Sequence, residues 1–222
     1  MLRVGTHNVH GLVSHLQPLV EGWLHQRLDI VLLQETWVTF FQAAKVCRQI
    51  DAACRRVDLR HDGFQVCWGY NTAGNAARSA GVAVLVRRAL VNSGQITVRQ
   101  QQMVATPQGR LLVLPVQWGG HDFKIVSAYL PNSSTDQQAF INDCMCVHLQ
   151  GQTHLVCAGD FNFVEDVELY QVSTAQHAGP PTPVAARVWR DRFPSLVDAF
   201  RLRHPSRRAY THHSPTSARR LD

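Results

Sequence analysis

The chain has 222 residues, 45% hydrophobic and 17% charged, enough to bury one full core as a single domain of the larger β-rich kind. No apolar run approaches the roughly 18 residues that a spanning helix needs, so a globular protein outside the membrane is expected. The formal net charge is +6 and every basic residue except Lys45 and Lys124 is Arg, whose planar fork suits phosphate oxygens and so points to a polyanionic partner. In chain order the pattern predicts a strand at 2–8, an amphipathic helix at 13–27, a strand at 30–35 and a helical stretch at 41–56. Strands follow at 64–68, 81–87, 95–103, 110–117 and 123–129, separated by Gly- and Pro-containing turns. A helix at 134–149, a strand ending at Gly159, a Pro-rich loop at 179–183 and short helices at 185–192 and 195–203 complete the reading. Successive strands with helices laid outside them predict two sheets face to face, an α/β sandwich of four layers.

Four of the strand-like runs finish in a polar side chain: Asn8, Glu35, Tyr129, and Asp160 with Asn162. In an extended chain residues i and i+2 share a side, so the Asp160 carboxylate and the Asn162 carboxamide converge on one point. A carboxylate beside an amide can orient and deprotonate a water. Together the four strand ends predict one site at the common edge of the two sheets. The six cysteines (Cys47, Cys54, Cys67, Cys144, Cys146, Cys157) lack the paired spacing of a structural zinc site and are read as reduced, mostly buried thiols. The N-terminal residues lead straight into a strand without a charged-then-apolar leader, so an intracellular location is expected.

The set Asn8, Gln34-Glu35, Tyr129 with Asn132, and Gly159-Asp160-Phe161-Asn162 resembles the endonuclease/exonuclease/phosphatase superfamily of metal-dependent phosphodiesterases. Within it, Thr6 to Leu12, Arg78 to Val86 and Leu196 to Arg201 look most like the endonuclease domain of non-LTR (LINE-type) retrotransposon polyproteins. The resemblance implies a DNase I-like fold with mainly antiparallel sheets, and an Mg²⁺-dependent endonuclease, with Mn²⁺ as a substitute, that nicks double-stranded DNA in the nucleus. It implies that Glu35, assisted by Asn8, holds the metal and that Asp160 activates the attacking water. Asn162 would fix that water, Tyr129 would donate to the phosphate, and Asn132, Arg78 and His7 would touch substrate.

The terminal Arg220-Leu221-Asp222 looks like the strand that precedes a Ser-Asp-His motif in these enzymes, with Asp222 in the place of the Asp that orients its histidine. The expectation is therefore one domain over 1–222 without its last strand and Ser-Asp-His segment. Loss of such a group costs on the order of 10² to 10⁴-fold in rate. Two alternatives stand beside the leading one: an apurinic-site nuclease or small-phosphoester phosphatase of the same superfamily, and an inactive DNA-binding remnant. Asp198 is expected to cap a short helix, and Arg201, Arg203, Arg207, Arg208, Arg219 and Arg220 to line a DNA track.

Overall fold

The computed structural model describes residues 1–60, 62–73, 80–164, 171–173, 183–207, 211–214 and 217–219, the strands at 171–173, 212–214 and 217–219 by backbone alone. Arg78, Asp222, Arg208, Arg220 and residues 179–182 of the Pro-rich loop lie outside the described residues, as does the side chain of Arg219. The chain divides into two compact units, 1–129 with 154–160 and 130–153 with 161–222.

The first unit runs β1 (Val4–Asn8), a 3₁₀ turn and α1 (Leu16–His25), β2 (Ile30–Gln34), α2 (Phe40–Val57), β3 (Phe64–Gly69), β4 (Val82–Arg87) and α3 (Arg88–Asn92). It continues with β5 (Ile96–Val98), β6 (Val104–Ala105), β7 (Leu111–Trp118), β8 (His121–Tyr129) and, after an excursion, β9 (Leu155–Asp160). The strands make two sheets, β1-β2-β4-β3 and β5-β7-β8-β9, with β6 alongside β7. Among the described residues of this unit β1–β2 and β8–β9 pair in parallel and the remaining pairs are antiparallel.

The sequence of β2 shows why it is central. Ile30-Val31-Leu32-Leu33 is an unbroken apolar run, as expected for a strand covered on both faces, and every residue of β2 is buried. Ile30 and Leu32 join Val82, Val84 and Val86 against Leu112, Leu114 and Ile125 of the second sheet, forming the core between the sheets. Val31 and Leu33 face the other way, with Ala83 and Leu85, onto Val20 and Trp23 of α1 and Val46, Ile50 and Ala53 of α2. The start of α2 is set at Thr39, whose backbone N–H donates to Gln42 Oε1 at 3.1 Å.

One expected strand, 95–103, is broken. The Arg99 N–H donates to the Pro115 carbonyl at 3.0 Å, but Pro115 has no N–H to return, so the ladder stops and the chain makes a 3₁₀ turn over Gln100–Gln102 before β6 resumes. Helix α3 was not foreseen.

The second unit holds the helices Ser134–Ala139, Cys146–Leu149, Val184–Arg192 and Ala199–Arg203 and a three-stranded antiparallel sheet in which Ser217–Arg219 lies between Gln171–Ser173 and His212–Ser214. The helix expected over 134–149 contains a π-helical turn, Phe140–Met145. Its buried positions Gln137, Ile141, Met145 and Leu149 recur every four residues, a longer spacing than 3.6, and the wider turn keeps them on one side. Asp198 caps Ala199–Arg203 by accepting from the Arg201 N–H at 2.9 Å, as expected. The Arg201 guanidinium donates to the carbonyls of His204, Pro205 and Arg207 and ties the following loop to the helix.

Candidate active site

Parallel pairing explains where the polar strand ends meet, because strands that run the same way finish side by side. In the first sheet Asn8 is opposite Gln34, and Glu35 follows immediately. In the second sheet Tyr129 is opposite Asp160. Past the end of β2 the backbone of Glu35 adopts φ 52°, a left-handed conformation that a non-glycine residue takes at an energetic cost and that is typical of functional turns. Gly11 completes the neighbouring turn at φ 95°, where a Cβ would run into the Trp37 ring.

The Asn8 carboxamide is the centre of the cluster. Its Nδ2 donates to Glu35 Oε1 at 2.7 Å and to Asp160 Oδ2 at 2.9 Å. Its Oδ1 accepts the backbone N–H of His10 at 3.2 Å. Asn8 as placed here therefore orients two carboxylates. His10 Nδ1 lies 3.1 Å from Glu35 Oε2, and its ring packs edge-on against Trp37 with centroids 4.6 Å apart.

Tyr129 is buried, and its pKa is pushed up to about 12, first by burial and then by the charge of Glu35 and a hydrogen bond to it; Arg110 opposes these and Asp160 adds to them. The phenol is therefore neutral at physiological pH and can only gain from donating its proton to an anionic oxygen. Arg110 sits over the ring, its guanidinium carbon 4.7 Å from the centroid, and donates to the Tyr129 carbonyl at 3.3 Å.

A buried polar chain lies just beneath. Thr6 Oγ1 donates to Gln34 Oε1 at 3.3 Å, Gln34 Nε2 donates to Ser127 Oγ at 3.1 Å, and Ser127 Oγ donates to the Leu33 carbonyl at 3.1 Å. It links the strands that carry Asn8, Glu35 and Tyr129.

Within the first unit the structure thus brings together Asn8, Glu35, Tyr129 and Asp160. His7 is not with them. It alternates with Thr6 and Asn8 along β1 and so points to the opposite face, exposed; its neighbour His10 is the histidine that reaches the carboxylates. Asn162 and Asn132 belong to the second unit. Asn162 sits at φ 52° with its Nδ2 donating to the Leu130 carbonyl at 2.8 Å, and Gln137 Nε2 bridges the Pro131 and Asn162 carbonyls at 2.8 and 2.9 Å. Asn132 is exposed in the loop before helix Ser134–Ala139. Sequence reasoning placed His10 beside the Asn8 strand end, with a structural role the favoured one, and missed Arg110, Ser127 and Gln137 as supports. Only Gln137 gave a signal, an amide at a position of helical apolar spacing.

All six cysteines are free. Burial raises the thiol pKa of Cys67 to about 12 and of Cys144 to about 11, which keeps both protonated and inert.

Two sheets flanked by helices, the DNase I-like α/β fold, are shared with solved structures. An AP endonuclease from Archaeoglobus fulgidus superposes with a TM-score of 0.65 at 19% identity, over 97% of this chain and 79% of that one. The AP endonuclease LMAP from Leishmania major gives 0.64 at 14% identity, over 96% and 72%. The 3′ phosphatase NExo from Neisseria, bound to product DNA hairpin, gives 0.63 at 18%, over 97% and 79%. Among curated proteins no sequence matches. The pattern of the Endonuclease/Exonuclease/phosphatase family matches residues 5–222, and the chain belongs to that family of phosphodiester hydrolases.

Proposed function

We propose that this protein is a divalent-metal-dependent endonuclease that nicks double-stranded DNA. The observation that carries the reading is the convergence of the Glu35 and Asp160 carboxylates on one neutral amide, Asn8, beside a protonated Tyr129. Family members generally use divalent metals such as Mg²⁺. The residues fit such an ion. The donors are hard oxygens, the Glu35 and Asp160 carboxylates bring two like charges together on the Asn8 amide, and Glu35 keeps a side-chain exposure of 16%. No group of three or more His, Cys, Asp or Glu that could enclose a metal occurs among the described residues, which suits a cation that is held by one or two carboxylates and otherwise by water and phosphate oxygens.

In this reading Glu35 holds the metal, which when bound supplies Lewis-acid stabilisation of the leaving oxygen. Asn8 fixes the orientation of Glu35 and Asp160. Asp160 accepts a proton from the attacking water, Asn162 positions that water, and Tyr129 donates to the phosphate as negative charge grows. Asn132 and Arg78 contact substrate, and Asp222 orients a phosphate-binding histidine where one is present. The finer assignment, to LINE-type retrotransposon endonucleases acting in the nucleus, is supported by the segments 6–12, 78–86 and 196–201.

The test is nicking of supercoiled plasmid with Mg²⁺ or EDTA, beside Asp160→Ala. Nicking is expected with Mg²⁺, lost in EDTA and reduced at least about 10²-fold by the substitution. Metal-independent nicking, or full activity of Asp160→Ala, would overturn the reading. A second reading, abasic-site nuclease or 3′ phosphatase, is favoured by what the structurally similar proteins act on. Cleavage of an abasic duplex, or release of phosphate from a 3′-phosphorylated end, without nicking of intact plasmid would select it.

A further inference from the structure

The outward face of α2 has no role in the proposed hydrolysis, yet its composition is that of a binding surface. Ala43, Val46, Ile50, Ala53 and Cys54 are buried in the core, and at 100° per residue the opposite line of the helix is Phe41, Lys45, Arg48 and Arg55, all exposed. The solvated outer face of a helix ordinarily mixes both signs of charge. Here the one acid in the helix, Asp51, is withdrawn into an ion pair with Arg88 at 3.2 Å. Among the described residues none of Lys45, Arg48 and Arg55 is in an ion pair.

The N-terminal end of this stripe is aromatic. Phe40 is 69% and Phe41 92% exposed. Phe40 packs edge-on against Phe41 and Tyr70, with centroids 5.8 and 5.7 Å apart, and Tyr70 stacks on Trp68. Two adjacent phenylalanines left in water beside a row of unpaired cations call for a ligand with both flat apolar faces and repeated negative charge.

We infer that this face of α2 binds single-stranded nucleic acid, with bases stacked on Phe41 and Phe40 and the phosphates tracked by Lys45, Arg48 and Arg55. Base stacking on aromatic rings combined with a basic track is the general means of holding unpaired strands, whereas the faces of duplex bases are already covered. At 1.5 Å per residue the stripe from Phe41 to Arg55 is about 21 Å long, room for several nucleotides. A membrane surface is a poorer fit, because the apolar side of α2 is spent in the core and two rings at one end leave too little area to insert. Helix α2 begins shortly after Glu35, so the aromatic end of the stripe lies toward the strand ends that carry the candidate site. The binding does not depend on hydrolysis.

The test is fluorescence anisotropy of labelled oligo-dT of about 20 nucleotides with the full chain in EDTA, which keeps it separate from cleavage. Replacing all three cations (Lys45→Ala, Arg48→Ala and Arg55→Ala together) is expected to weaken binding at least tenfold and to lower the slope of log affinity against log salt by about two, since each strand phosphate neutralised contributes about 0.7. Phe41→Ala is expected to weaken binding about tenfold with the salt slope unchanged. All four side chains are exposed, and thermal melts should match wild type. Unchanged affinity in both variants would overturn the inference. So would a duplex of equal length competing as well as the single strand, or binding to phosphatidylserine vesicles with none to oligo-dT.

Discussion

Ser127 shows how a residue with no chemistry of its own can govern the site. Its hydroxyl is fully buried, accepts from Gln34 and donates to the Leu33 carbonyl, so Ser127→Ala leaves a buried amide and a buried carbonyl each short of a partner. The expected loss is about 1–3 kcal/mol of stability, read as a lowered midpoint in urea with unchanged slope. Tyr129 makes a second prediction. Its folded pKa of about 12 lies above the ordinary tyrosine value of 10.0, so the unfolded chain loses its proton first. The stabilising contribution is complete below pH 10 and declines as the pH rises toward about 12. Melts in EDTA should therefore show a steeper loss of stability across that window for wild type than for Tyr129→Phe, a difference that also removes the parallel effect of the buried cysteines. The sequence exposed Asn8, Glu35, Tyr129 and Asp160 because each breaks an apolar run. It did not expose Ser127, which reads as one more residue of a strand, and it marked His10 only as a neighbour of Asn8, since the approach to Glu35 depends on a left-handed turn.

At the scale of elements, β8 and β9 must approach closely enough to set Tyr129 beside Asp160, and Gly159 permits it. A Cβ there would collide with the Ala128 carbonyl of the neighbouring strand, so Gly159→Ala must push the strands apart at the site. The expected result is a folded but destabilised protein with nicking reduced at least about tenfold, because sub-ångström placement of the reacting groups is lost. Wild-type activity in that variant would show that the register tolerates displacement. The elements most legible in the sequence were the fully apolar β2 and the amphipathic α2, whose patterns reflect burial directly. Those misread depended on a partner. The strand expected over 95–103 is cut by a proline in β7, a neighbour in space that local patterning cannot see.

For the whole molecule, the fold class was legible because successive strands with helices laid outside admit few packings, while pairing direction was less so. The two parallel pairs are the exceptions in mainly antiparallel sheets, and they hold Asn8, Tyr129 and Asp160 of the cluster, with Glu35 one residue past the end of β2. Parallel neighbours cannot be joined by tight turns; they are reached through long crossings of the chain. The hydrogen bond between Asn8 and Asp160 accordingly spans 152 positions of sequence. A contact of that separation closes only after most of the intervening chain has ordered, since loop-closure entropy must be overcome before the contact forms. Competence to cleave is thus a late event in folding: on dilution from urea, recovery of nicking should lag behind recovery of helical circular dichroism, and equal rates would refute the order. The active cluster would then serve as an internal gauge of completeness, silent in every partly folded chain and in that way keeping the proposed DNA-cutting activity confined to finished molecules.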